Sequence, residues 1–192
     1  LWPVEDPTRF GVADFDQRKG LIRRFQEKPS LEEAYSNLIN AGCYIIETSV
    51  IQGLNTEFHS MERDVFPGIA ESGRMGGYRY SGRFIDAGTP KSYLEAMVAA
   101  IEDNSFNIGG IVGTSWYADP KMSKKGIENS AVGMECKLGD GIRVNRSAIL
   151  EGARIGENVH LDNCLIGRGS TVPANSRLVD MVIGFNQQYQ RK

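Results

Sequence analysis

Ten large aliphatic residues recur through the second half of the chain at spacings of six, six and five. They are Val132, Leu138, Val144, Ile149, Ile155, Leu161, Ile166, Val172, Leu178 and Ile183, so the period is seventeen residues in three short sides. A side this short leaves no room for a helical repeat. It suits a triangular parallel β-coil, in which each side is a short strand and each corner a tight bend. Smaller residues two positions before the next aliphatic, at Ser130, Cys136, Ser147, Ala153, Cys164 and Ser170, are expected to point inward as well. Gly141, Asn158 and Asn175 share one corner column, and glycine and asparagine tolerate the positive φ that such a corner can demand. The coil is expected to span residues 128–184, with a tail at 185–192.

The columns account for residues that might otherwise suggest chemistry. Cys136 and Cys164 fall in small inward slots and read as core packing. His160 precedes a ladder aliphatic and should face outward, in one column with Arg143 and Arg177. A solvated basic face is the plain reading of that column, and a small anion or partner site the sharper one. Three cysteines without a C-x-x-C pair, and only two histidines, exclude a structural zinc site and a disulfide framework. A reducing cytoplasm is therefore expected. The net charge of −2 gives no electrostatic reason for nucleic acid or an anionic membrane surface. No run of apolar residues is long enough to span a bilayer, and the first twenty residues lack the pattern of a secretory signal.

Residues 1–105 follow a different grammar, in which short apolar runs alternate with helical patterns, as in an α/β domain. The runs 9–15 and 21–25 flank a polar turn ending in Gly20, which predicts a hairpin. Residues 42–46 (G-C-Y-I-I) predict a buried strand, and Tyr78-Arg79-Tyr80 a strand by alternation. Ser60 suits a helix cap, with Glu62 in the first turn and a restart at Pro67. The clearest helix opens at Thr89-Pro90, with Tyr93, Leu94, Met97, Val98 and Ile101 at helical spacing. Residues 106–127 read as a Gly/Ser/Lys-rich junction whose Trp116 and Tyr117 pack against a neighbour.

Three segments of this half look chemical. Glu27-Lys28-Pro29 ends a strand on an acid–base pair, and Asn40-Ala41-Gly42 lets a ligand approach the backbone. In 84–90 (F-I-D-A-G-T-P) an apolar strand delivers Asp86 into a turn before a helix N-terminus. Each has a plain alternative: a surface strand end, tight packing, or a turn cap.

Together with residues 4–12 (V-E-D-P-T-R-F-G-V) and Asp64-Val65-Phe66-Pro67, these segments resemble the sugar-phosphate nucleotidyltransferases, the mannose-1-phosphate guanylyltransferases among them. The resemblance runs in order along nearly the whole chain. It implies the sugar-phosphate side of a partial Rossmann-like α/β domain, followed by a left-handed parallel β-helix of hexapeptide repeats. The reaction it implies joins a sugar 1-phosphate to a nucleoside triphosphate, giving a nucleotide-sugar and pyrophosphate.

By that resemblance Lys28 would hold the sugar phosphate and Glu27 a sugar hydroxyl. Gly11, Asn40 and Gly42 would line the sugar pocket, and Asp86 would be one of two carboxylates holding Mg²⁺. These residue types suit the roles: a mobile ammonium for phosphate, a hard oxygen for magnesium. The family's glycine-rich G-x-G-x-R-x-x-P-x-T loop does not occur here. The chain is therefore expected to lack the N-terminal half of the catalytic domain and to be inactive alone. Phe84 stands where members often carry tryptophan, and Arg83 replaces a common aromatic. A homo-oligomer formed through the β-helix is expected. Guanine with mannose is favoured, and thymine or uracil with glucose comes next. Two other readings are a non-catalytic regulatory or assembly subunit and a hexapeptide-repeat acyltransferase. The last would want a catalytic histidine in a cleft and a loop bulging from the coil, and the ladder is unbroken.

Overall fold

In a computed structural model that describes residues 1–190, Asp16 builds the first turn. Its Oδ1 accepts the backbone N–H of Arg18 and Lys19 at 3.0 and 3.2 Å, and its other oxygen receives Arg23 at 2.6 Å. Gly20 closes the turn at φ +67°. The strands so joined are β2 (Gly11–Asp16) and β3 (Leu21–Glu27), in an antiparallel sheet with β1 (Trp2–Pro3) and β4 (Leu38–Ile39), ordered β1-β4-β2-β3. After the short helix α1 (Thr48–Gln52) comes a π-turn over Met61–Val65, capped by the Ser60 side chain, and then α2 (Phe66–Glu71) with Pro67 in its first turn. Ala13, Ile22 and Phe25 bury one sheet face against Phe66 and Ala70 of α2. These elements belong to a first unit, Leu1–Phe84, and a second begins at Ile85.

Three expected strands do not form. Residues 42–46 are not a strand, and Ile45 is fully exposed instead of buried. An extended segment becomes a strand only beside a partner, and among the described residues none lies next to this one. Residues 78–80 and 84–85 are likewise irregular. Tyr80 N–H bonds the carbonyl of Leu1, without the continued ladder that a strand needs.

In the second unit, Thr89 and Ser92 form a reciprocal capping box on α3 (Pro90–Glu102). The buried face of α3, carrying Leu94, Met97 and Ile101, packs on Ala148 with Ala131 and Leu165 beside it. The glycines of the junction shape a hairpin: β5 (Gly110–Val112) and β6 (Ser115–Tyr117) turn at Gly113, φ +64°. Trp116 stacks on Phe106 at 4.7 Å, and β6 joins the coil in parallel, Tyr117 beside Val132.

The coil is a three-sided β-solenoid of about four turns. One side stacks Ile127–Glu128, Arg143–Asn145, His160–Asp162 and Arg177–Val179. A second stacks Ala131–Val132, Ala148–Ile149, Leu165–Ile166 and Val182–Ile183, and the third Lys137–Leu138, Arg154–Ile155 and Thr171–Val172. Register advances by seventeen at every step, as Val144, Leu161 and Leu178 show. Nine of the ten ladder aliphatics are buried, Leu138 partly so, and all six small inward positions are buried. A third inward column, Ile142, Val159 and Ser176, escaped the sequence reading. The coil also runs on into the expected tail: Gln188 bridges Thr171, seventeen residues earlier, and Tyr189 packs against the core. Residues 191 and 192 of that tail lie outside the described residues.

Two devices hold the stack. Serine hydroxyls link successive coils, since Ser130 N–H bonds Ser115 Oγ, Ser147 N–H bonds Ser130 Oγ, and Cys164 N–H bonds Ser147 Oγ, at 3.2, 3.0 and 2.9 Å. All three corners, where one was expected, carry residues at positive φ: Gly141, Asn158 and Asn175; Asn129, Arg146, Asn163 and Asp180; Glu135, Gly152, Gly169 and Asn186. Cys136 and Cys164 are free and buried, and burial pushes both thiols up, whereas Cys43 is free and exposed. A thiol reagent is therefore expected to label Cys43 promptly, and Cys136 and Cys164 only on unfolding. Prompt labelling of all three in the native chain would contradict the packing. His160 sits in register between Arg143 and Arg177, and the column lines a shallow open hollow shared with Glu128, Asn145 and Asp162.

Candidate functional site

Pairing at one end of the first sheet gathers five of the six expected site residues. Gly11 lies opposite Glu27 across β2 and β3. Lys28 N–H bonds the carbonyl of Phe10 at 2.9 Å, and Asn40 N–H that of Gly11 at 2.8 Å. Only glycine fits at position 11, because a Cβ would stand 2.5 Å from the Phe25 ring and 3.0 Å from Glu27 Oε2. The Lys28 ammonium lies 3.8 Å from Glu27 Oε1, with Lys28 largely exposed and Glu27 mostly covered. A cation that reaches into solvent beside a held carboxylate can meet a phosphate and a hydroxyl of one small ligand.

Lys28 takes φ +49°, a region uncommon for a residue with a Cβ. Strain of this kind gathers where a side chain must be aimed. The strain could not be foreseen from residue types, since a residue before proline is ordinarily extended.

Asn40 is held from two sides. Its Oδ1 accepts the Gly42 N–H at 2.9 Å, with Gly42 at φ +70°, and its Nδ2 donates to the Tyr44 hydroxyl. Tyr44 donates in turn to Glu62 Oε1 at 3.4 Å, and Ser60 Oγ donates to Glu62 Oε2 at 3.3 Å. The Tyr44 ring meets the Phe66 ring edge-on at 4.9 Å. Burial, opposed by the Asn40 bond and reinforced by the Glu62 charge, pushes the Tyr44 phenol up, so it stays protonated. Sequence reading missed Tyr44 and Glu62 as part of this cluster. The first was counted in a buried strand and the second as a first-turn acid; only the fold brings them together.

Asp86 belongs to the second unit. It is exposed, four residues before α3, and its Oδ1 lies 3.2 Å from where a Cβ on Gly88 would stand. Among the described residues no group of three or more His, Cys, Asp or Glu is arranged to hold a metal ion. A lone exposed carboxylate suits Mg²⁺ as a partial ligand, since this ion commonly keeps waters and phosphate oxygens around one or two carboxylates. No helix of the described residues is long and apolar enough to cross a membrane.

An α/β unit bearing an acid–base pair and an amide, followed by a hexapeptide coil, defines a class of two-part proteins. The nucleotidyl transferase family profile matches residues 1–103, and a GlmU-like C-terminal hexapeptide profile matches residues 102–192. The chain belongs to the nucleotidyl transferase family. A probable mannose-1-phosphate guanylyltransferase 3 of Oryza sativa subsp. japonica is 28% identical over 190 residues, 94% of this chain and 52% of that protein. The mannose-1-phosphate guanylyltransferase catalytic subunit beta of Danio rerio is 30% identical over 171 residues, 79% of this chain and 44% of the relative. Its namesake in Drosophila pseudoobscura pseudoobscura is 39% identical over 94 residues, 49% and 24% of the two chains. The chain thus spans about half the length, or less, of these relatives.

Proposed function

We propose that the chain supplies the sugar-phosphate side of a nucleotidyltransferase that makes a nucleotide-sugar and pyrophosphate. The observation that carries this is the convergence of Gly11, Glu27, Lys28, Asn40 and Gly42 at one sheet end. A phosphate oxygen of the sugar 1-phosphate attacks the α-phosphorus of the triphosphate; that P–O bond forms as the bond to pyrophosphate breaks. Such a displacement needs positioning and charge neutralisation more than proton transfer. Lys28 holds the sugar phosphate, Glu27 accepts from a sugar hydroxyl, and Gly11, with no Cβ, lets Phe25 and Glu27 close up beside the pocket it lines. Mg²⁺, when bound, neutralises phosphate charge, and Asp86 would contribute one hard oxygen ligand. Mannose 1-phosphate with GTP is the favoured pair because the relatives bear that activity in their names, and glucose 1-phosphate with dTTP or UTP is next.

The irregular segment 42–46, with Ile45 exposed in it and Phe58 exposed further along the chain, is offered as the face that a further N-terminal part of the catalytic domain would cover. Association of copies through the coil belongs to the same reading, as does the cytoplasm, which suits three free thiols.

The test is calorimetric titration of the chain with mannose 1-phosphate, wild type against Lys28→Ala, beside a pyrophosphate-release assay with GTP. Binding that depends on Lys28, without turnover, is expected. Turnover by the chain alone would refute its need for a further part, and equal binding by both proteins would favour an assembly subunit. In a protein that does turn over, Asp86→Asn is expected to lower kcat about 10²-fold, the scale of one preorganised charge-stabilising group. A loss under about threefold would discredit the metal role, since that is far below this scale.

A further inference from the structure

We propose that Glu62, acting through Tyr44, is a positioning residue that locks the Asn40 amide in the polarity its Gly42 bond selects, so that Asn40 offers the sugar a hydrogen-bond donor. The inference rests on the reading of this site as a sugar-phosphate pocket and adds a rule for what it recognises. An asparagine amide can face either way, and only its partners decide which end is nitrogen. Here both ends are determined. Gly42 N–H can be met only by the carbonyl end, at 2.9 Å, and this turns Nδ2 toward Tyr44.

The phenol alone would not enforce that choice, because a hydroxyl both donates and accepts. Glu62 removes the ambiguity. As a carboxylate it can only accept, so it claims the Tyr44 proton, at 3.4 Å, and leaves the phenol oxygen to accept from Asn40. The Phe66 ring against Tyr44, and Ser60 Oγ on the second Glu62 oxygen, hold both relay members in place. One Nδ2 hydrogen of Asn40 then has no role in the chain of bonds and remains for a ligand. With Glu27 as an acceptor nearby, the pocket presents one donor and one acceptor. A site built this way disfavours a sugar lacking the matching hydroxyl, because the half-exposed donor or acceptor is then met by water instead of the ligand.

The experiment measures binding of mannose 1-phosphate to the 192-residue chain by calorimetry, with the thermal midpoint of each variant as a control. Glu62→Ala is expected to weaken binding about tenfold, the scale of one misdirected hydrogen bond, with its midpoint near that of wild type. Glu62→Gln keeps an acceptor for the Tyr44 proton and is expected to restore binding to within about twofold, well inside the value of a single bond. In an Asn40→Ala background Glu62→Ala is expected to change little, since residues acting through one another are not additive. Should Glu62→Ala lose its fold, Tyr44→Phe, which removes one oxygen, carries the same test. Wild-type binding with full affinity in Glu62→Ala and in Tyr44→Phe overturns this inference and leaves the proposed function standing. So does an undiminished Glu62→Ala effect in the Asn40→Ala background. Wild-type failure to bind any sugar 1-phosphate overturns both together.

Discussion

Replacing Ile155 with arginine is expected to abolish the folded coil. Ile155 is 3% exposed, and it stacks between Leu138 and Val172. Among the described residues the buried interior of the coil is apolar or serine, with no acid to meet a guanidinium. The substitution forfeits about 1.5–3 kcal/mol of side-chain burial, and an uncompensated buried charge adds about 3–5 kcal/mol. A domain's whole stability is about 5–15 kcal/mol. Because each coil hydrogen-bonds the next, failure in the middle coil removes support from those on either side. Circular dichroism and a thermal melt of Ile155→Arg read the outcome. Arg154→Ser, on the outward neighbour, is the control, expected to stay within about 0.5 kcal/mol of wild type. A soluble Ile155→Arg chain with an unchanged melting temperature would refute the inward assignment of this column.

Lys28→Gly is expected to strengthen the fold and destroy the site at once. The residue sits at φ +49°, where a side chain costs roughly 1–2 kcal/mol that glycine does not incur. Part of that gain is returned through the entropy of a freer unfolded chain, so a net stabilisation of about 0.5–1 kcal/mol is expected. Binding of mannose 1-phosphate should fall about 10- to 100-fold, the worth of a charge-assisted hydrogen bond of about 1.5–3 kcal/mol. Lys28→Ala separates the two effects, because it loses the ammonium and keeps the strain. Chemical denaturation and calorimetry on the three proteins read both quantities. If Lys28→Gly is no more stable than Lys28→Ala, the backbone carries no strain at this position. If it binds as wild type does, the lysine has no part in the site.

The Asn40 cluster marks the limit of what residue order reveals. Asn40-Ala41-Gly42 stood out as a small-residue approach, and in the structure Gly42 does serve Asn40, through its own N–H. Glu62 is twenty-two residues away from Asn40 in sequence. It reaches the cluster through Tyr44, which touches Phe66 of the core. Nothing in periodicity couples those positions. The strand expected at 42–46 shows the opposite error: apolar density alone reads as burial, while Ile45 lies bare for want of a neighbouring strand.

The coil needed only its own sequence. A period of seventeen repeats one local environment, so the aliphatic ladder, two small inward columns, one corner column and the register follow from adjacent coils that are also adjacent in the chain. The hairpin at Asp16–Gly20 and the cap at Thr89 were legible for the same reason, since each closes over a few residues. Tertiary structure alone decided the strained backbone of Lys28, the partners of Asn40 and the capture of α3 by the coil. Those depend on which distant segments meet, and contacts across long loops are settled by the packing of the whole domain.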